Sequence, residues 1–220
     1  TVPRQERSKQ MGRCWCRERK KPVTPHIFIS YGMTKCGSTL AFQLARVALI
    51  QAGFDQDVIH FPGTPEDQKI NFVGRFTDDH LEMLEDELDR RGHPIVIKTH
   101  SRPSPTEVRL MESATARAHA VFRDPRDMAL SLLDAGVAAR EKGKAAFSEM
   151  KTLSDAKAGI DNQMDSLTAW LQLPGTQRLP YDRVAFASAA AAADIQDHLG
   201  IDGDHGAHPQ LPPNTLLHNA

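Results

Sequence analysis

Apolar residues occur along this chain in short solid runs rather than in alternation, with polar punctuation between them. Ile27-Phe-Ile-Ser-Tyr31, Ile95-Val-Ile97 and Ala118-His-Ala-Val-Phe122 have the length and continuity of strands covered on both faces, as in a parallel sheet. A longer stretch from Thr39 to Ala52 is apolar nearly all round (Leu40, Phe42, Leu44, Val47, Leu49, Ile50), which predicts a buried helix closing at Gly53. Thr77, Asp78 and Asp79 offer caps to an amphipathic helix with Leu81, Leu84 and Leu88 inward and Gly92 as its stop. Further helices are predicted through Val108 to Ser113, from about Asp127 to Arg140 with Pro125 near its first turn, and from Ile160 to Leu173. Gln177 to Tyr181 reads as a short strand, and the alanine-rich run from Ala187 to Leu199 as a packing helix that ends at Gly200. Residues 55–76 carry prolines and glycines without a period and read as loop. Residues 141–157 read as weakly structured, either a lid or an ordinary surface loop. Strands alternating with helices imply right-handed crossovers, so the expected fold class is α/β, a three-layer α/β/α fold with a central parallel sheet.

The first strand runs into Gly32-Met-Thr-Lys35-Cys36-Gly37-Ser38-Thr39, a glycine-bracketed loop followed at once by the buried helix. The first N–H groups of a helix have no partner within it, so such a loop makes an anion site. The pattern that binds nucleoside triphosphates needs a lysine directly after the second glycine, but that place holds Ser38. The lysine is instead Lys35, inside the loop, beside whatever group lies nearest the main chain.

Thr34-Lys35-Cys36-Gly37-Ser38-Thr39-Leu40 resembles the P-K-S-G-T-T-W loop of the PAPS-dependent sulfotransferases. Lys98-Thr99-His100, at a predicted strand end, is similar to that family's K-T-H segment. Arg123-Asp-Pro-Arg126-Asp127-Met-Ala-Leu-Ser131 is similar to its R-N-P-K-D-x-x-x-S motif, and Leu179-Pro-Tyr181-Asp182 to its R-Y-E-D segment. The resemblance implies transfer of a sulfonate from PAPS to a hydroxyl or amine, with PAP as product and no metal. Lys35 would meet the charge developing on the leaving group, Cys36, Gly37, Ser38 and Thr39 would cradle the 5'-phosphate with it, and Arg123 and Ser131 would grip the 3'-phosphate. His100 would take the acceptor's proton, and Lys98 would stabilise the transferring group. Capping alone is the other reading of Ser38 and Thr39, and an ion pair with Asp124 or Asp127 the other reading of Arg123. Arg126 and Asp127 are read as fixing the turn, and Tyr181 and Asp182 as structural.

The sequence departs from the family in Cys36 for serine, in Leu40 for tryptophan, and in the C-terminal R-K-G-x-x-G-x-x-K loop, whose place holds Ile201-Asp-Gly-Asp-His-Gly-Ala-His208. Asp202, Asp204, His205 and His208 faintly suggest a cation loop, but its closing glutamate would fall at Pro213.

Composition narrows the class without changing it. The 220 residues, 40% of them hydrophobic, suit one domain over 23–220 preceded by a basic arm over 1–22. A net charge of -1 gives no global attraction to nucleic acid or an anionic membrane, so anion affinity has to be local. No run approaches a membrane span, and the arm lacks the apolar region of a signal peptide, so a cytoplasmic location is expected. Of the three cysteines, Cys14 and Cys16 lack neighbouring ligands for zinc. A small-molecule acceptor is the expected partner, and the sequence leaves the oligomeric state open. Two rivals remain at this stage: a P-loop small-molecule kinase, and a nucleotide-binding domain of the same fold without turnover.

Overall fold

The computed structural model describes residues 23–62, 68 and 70–201; the basic arm and the aspartate- and histidine-bearing C-terminal stretch lie outside the described residues. Four strands form one parallel sheet in the order β2-β1-β3-β4: β1 (Ile27–Gly32), β2 (Ile95–Thr99), β3 (Ala116–Phe122) and β4 (Thr176–Pro180). The central strand β1 is buried at every position, which explains why its sequence does not alternate. Its two faces are nonetheless distinct. Tyr31 stacks on Trp170 of α5 (Leu153–Leu171), while Phe28 on the opposite face meets the His198 ring of α7 (Ser188–Leu199). Helix α1 (Ser38–Gln51) packs on β1, β2 and α7, so it shares the α7 face. On the α5 face, α4 (Pro125–Glu141) packs against α5. The result is the three-layer α/β/α arrangement.

Chain order fixes where a ligand can sit. After β1 the chain moves outward to β2 through α1 and α2 (Asp78–Arg91), then returns through α3 (Pro105–Glu112) to β3 on the other side of β1. The crossovers leave β1 and β3 toward opposite faces, which opens a crevice beyond their carboxyl ends. The glycine loop and Arg123 stand at that point.

Local chemistry sets the boundaries. Thr77, Ser104 and Thr152 each close a capping box, with His80, Glu107 and Asp155 respectively, and Pro105 and Pro125 occupy first-turn positions where no N–H is missed. The expectation of a weakly structured stretch reaching residue 157 is corrected: the Thr152 box starts α5 at Leu153, and only residues 142–152 remain outside helix. A short helix, α6 (Tyr181–Phe186), was hidden by its lack of a full apolar period. Among the described residues, no helix is long and apolar enough to cross a membrane.

Candidate active site

The loop after β1 is drawn in from several sides. Gly32 must be glycine because an added Cβ would lie 2.5 Å from Ser38 Cβ. The clash is with the first residue of α1, so the missing side chain is what lets the helix begin so close to the strand end. Gly37 is the N-cap of α1 in the left-handed region (φ 80), and no side chain caps the helix. The capping reading of Ser38 and Thr39 is therefore set aside: Gly37, not either hydroxyl, is the N-cap, and α1 begins just past the carboxyl end of β1.

Lys35 also adopts a left-handed backbone (φ 63), a strained conformation for a residue with a side chain. Its Nζ lies 5.9 Å from the centroid of the Phe147 ring. The Thr34 N–H donates to Gln163 Oε1 of α5, which ties the loop's crest to the opposite layer. Cys36 is fully buried, and its thiol donates to the carbonyls of Met33 (2.7 Å) and Val121 (3.2 Å). Burial pushes the thiol's pKa up to about 12. The side chain of Cys36 therefore belongs to the core, and anything it gives an anion has to come from its main chain.

Strand β2 contributes two groups to the same end. Lys98 is buried, and its Nζ donates to Thr39 Oγ1 at 2.8 Å; desolvation lowers its pKa. His100, one residue past the strand, holds its Nδ1 2.6 Å from the Gly32 carbonyl. A carbonyl only accepts, so Nδ1 carries the proton and Nε2 keeps a free lone pair. Burial lowers the His100 pKa, Lys98 lowers it further and the Gly32 bond opposes both, so the neutral imidazole is favoured near pH 7.

Arg123 is the first residue after β3. Its guanidinium lies 4.1 Å from the centroid of the Tyr181 ring, and Nη2 reaches Asp127 Oδ2 at a long 3.5 Å. Its Nε is buried without a hydrogen-bond partner, so the Asp127 pair, one of the two that the sequence left open, satisfies the guanidinium only in part. Tyr181 has a structural part, as expected: the same ring that lies against Arg123 stands 3.2 Å from where a Gly37 Cβ would be, so it bridges the turn after β3 and the glycine loop. Arg126 is held by Asp124, the N-cap of α4, at 2.6 Å, in keeping with a turn-fixing role. Ser131 is half-buried on the stripe of α4 that carries Asp127, one turn further along, and no hydrogen bond among the described residues joins it to Arg123.

The structure thus brings Lys35, Gly37, Ser38, Thr39, Lys98, His100 and Arg123 to one rim and leaves Ser131 at its margin. Gln163 and Phe147 escaped the sequence reading, since a mid-helix glutamine and a lone phenylalanine outside any period carry no local signal. Among the described residues no group of acidic, histidine or cysteine side chains is arranged to hold a metal ion.

No protein-family model matches the sequence, and no curated protein does. Solved structures of similar shape exist. A mouse sulfotransferase complexed with PAP is 15% identical over 84% of this chain, with a TM-score of 0.48, and the chain spans 62% of that protein's length. A sulfotransferase from Alicyclobacillus acidocaldarius is 16% identical, with 86% of this chain and 87% of that one covered and a TM-score of 0.40. An unliganded sugar kinase from a Janibacter species is 14% identical, with 84% and 99% covered and a TM-score of 0.42. Scores of this size set neither chemistry above the other, and the side chains of the rim have to separate them.

Proposed function

We propose that this chain is a PAPS-dependent sulfotransferase that moves a sulfonate group to a hydroxyl or amine of a small-molecule acceptor. The observation that carries the reading is the bond from Lys98 Nζ to Thr39 Oγ1. In a triphosphate-binding loop the hydroxyl two places past the second glycine holds magnesium. Thr39 stands at that place, and a lysine nitrogen already donates to its oxygen at 2.8 Å. A cationic side chain there opposes a divalent ion, and no lysine follows Gly37 to reach a γ-phosphate.

The residues fit a donor with two separate phosphates. The uncapped start of α1, with Gly37, Ser38 and Thr39, would hold the 5'-phosphate, and the Arg123 guanidinium, joined to Asp127 only at 3.5 Å, the 3'-phosphate, with Ser131 one helical turn beyond Asp127. PAPS, when bound, supplies an activated sulfuryl group. The chain's own part is positioning and charge: Lys35 meets negative charge on the departing oxygen, Lys98 meets charge on the transferring group, and Nε2 of neutral His100 accepts the acceptor's proton.

Thermal shift with PAP, and with ATP in the presence and absence of magnesium, tests this directly. PAP is expected to stabilise the fold without any metal, and PAPS is expected to turn over on a panel of hydroxyl and amine acceptors. Stabilisation by ATP with magnesium but not by PAP would make the protein a kinase. Stabilisation by PAP with no turnover across the panel would make it a binding domain.

A further inference from the structure

The segment between α4 and α5, residues 142–152, is more firmly built than its sequence suggests. Arg140 Nη1 on α4 donates to two of its carbonyls, Ser148 at 3.0 Å and Met150 at 2.9 Å. Gly136 on the same helix provides a notch: an added Cβ there would lie 2.2 Å from the Met150 oxygen and 3.0 Å from the Phe147 oxygen. The strap is therefore seated directly on the α4 backbone. Phe147, its one half-buried aromatic, packs at the edge of the core with a left-handed backbone (φ 70). That conformation is costly for a side chain this large. The ring it presents lies 5.9 Å from Lys35 Nζ, and Lys35 is itself held left-handed. Two strained residues from separate elements face each other where the loop meets solvent.

We infer that Phe147 is a positioning residue for Lys35: the clipped strap lays its ring beside the lysine nitrogen, aims it across the loop and keeps water from that side of the reacting end. The inference deepens the proposed reading and rests on it for the role of Lys35. The contact itself is testable without that reading.

The first measurement is the rate at which acetic anhydride acetylates Lys35 in the full chain, followed by mass spectrometry, with exposed Lys157 as internal reference. The amine nitrogen bonds to the acetyl carbon as acetate leaves and the proton passes to buffer. Phe147→Ala is expected to raise the Lys35 rate about two- to fivefold, the factor corresponding to loss of one exposed cation–π contact. Gly136→Ala, which lifts the strap without touching the loop, and Arg140→Gln, which removes its clip, are expected to change the rate in the same direction. Phe147→Leu keeps the apolar cover but not the π face, and should fall between wild type and Phe147→Ala. An unchanged Lys35 rate in Phe147→Ala and Arg140→Gln, both retaining the wild-type circular dichroism, overturns the inference.

The second measurement is acceptor-free hydrolysis of PAPS, in which water attacks sulfur, the sulfur–oxygen bond to the phosphate breaks, and PAP and sulfate are released together with the two protons of the water. Phe147→Ala is expected to release PAP faster than wild type, and a slower or equal rate contradicts the water-excluding role. If wild type neither binds PAP nor consumes PAPS, the proposed function fails while the labelling result still decides the contact.

Discussion

Replacing Gly32 by alanine tests the close approach on which the whole rim depends. The perturbation is steric, since only the added methyl group matters. Its carbon would stand 2.5 Å from Ser38 Cβ and 3.3 Å from Cys36 Sγ, whereas carbon atoms pack at about 3.5–4.0 Å. Neither neighbour is a free side-chain end, because Ser38 opens α1 and Cys36 is buried and hydrogen-bonded twice. The strain has to move α1 away from β1 or displace Gly32, whose carbonyl holds His100. Overpacking of this kind costs about 1–3 kcal/mol. In a domain of this size that lowers the melting temperature by roughly 2–12 °C. The informative assay is a pair of melts, with and without PAP. A lower midpoint and a reduced PAP shift are expected, because the displaced backbone is the one proposed to cradle the phosphate. A Gly32→Ala protein that melts within about 1 °C of wild type and keeps its full PAP shift would show that helix and strand do not need to meet this closely, and the cradle drawn here would be wrong.

Other expectations follow from individual groups. Arg123→Ala should weaken PAP binding by about ten- to a hundredfold, the worth of one charged hydrogen-bonding group, measured by calorimetry at fixed salt. His100→Asn can still donate to the Gly32 carbonyl but has no basic nitrogen, so it should bind PAP nearly as wild type does and lose transfer; lost PAP affinity would contradict that division of roles. Burial lowers the pKa of His26 to about 4 and of His119 to about 3, so the native state holds both neutral while the unfolded chain takes up protons near pH ~6.5. Their contribution to stability is complete above that pH and is lost as pH falls toward the folded values, by roughly 3 kcal/mol for His26. Burial raises Glu107 to about 7, which opposes this slope between its unfolded value near 4.5 and pH 7. Urea midpoints at pH 7 and pH 5 should therefore differ less in His26→Gln than in wild type, and an equal or larger difference would assign the acid sensitivity elsewhere.

The parts of the molecule readable in advance are those set by neighbours in sequence. Solid apolar runs marked β1, β2 and β3 because strands covered on both faces have no polar side to show. Gly37 and Pro125 marked helix starts through their own backbone preferences. Contacts made across the sheet left no such trace. Lys98 looked like the polar end of a strand, and only the placement of α1 over β2 brought it to Thr39. Cys36 looked like a cradle residue, and only the packing of β3 against the loop turned its thiol to Val121. Tyr181 stood in a motif that read as structural, and its double contact required β4 to end beside both Arg123 and Gly37.

The inward turn of Cys36 has a chemical consequence. A cysteine in the mouth of an anion-binding loop, flanked by lysines, would ordinarily hold its proton weakly and react readily with peroxides and alkylating agents. Here the thiol is fully buried, its pKa is raised to about 12, and it is the one free cysteine among the described residues. Among the described residues the proposed donor site is thereby left without a reactive thiol, and PAP binding should survive iodoacetamide and mild peroxide.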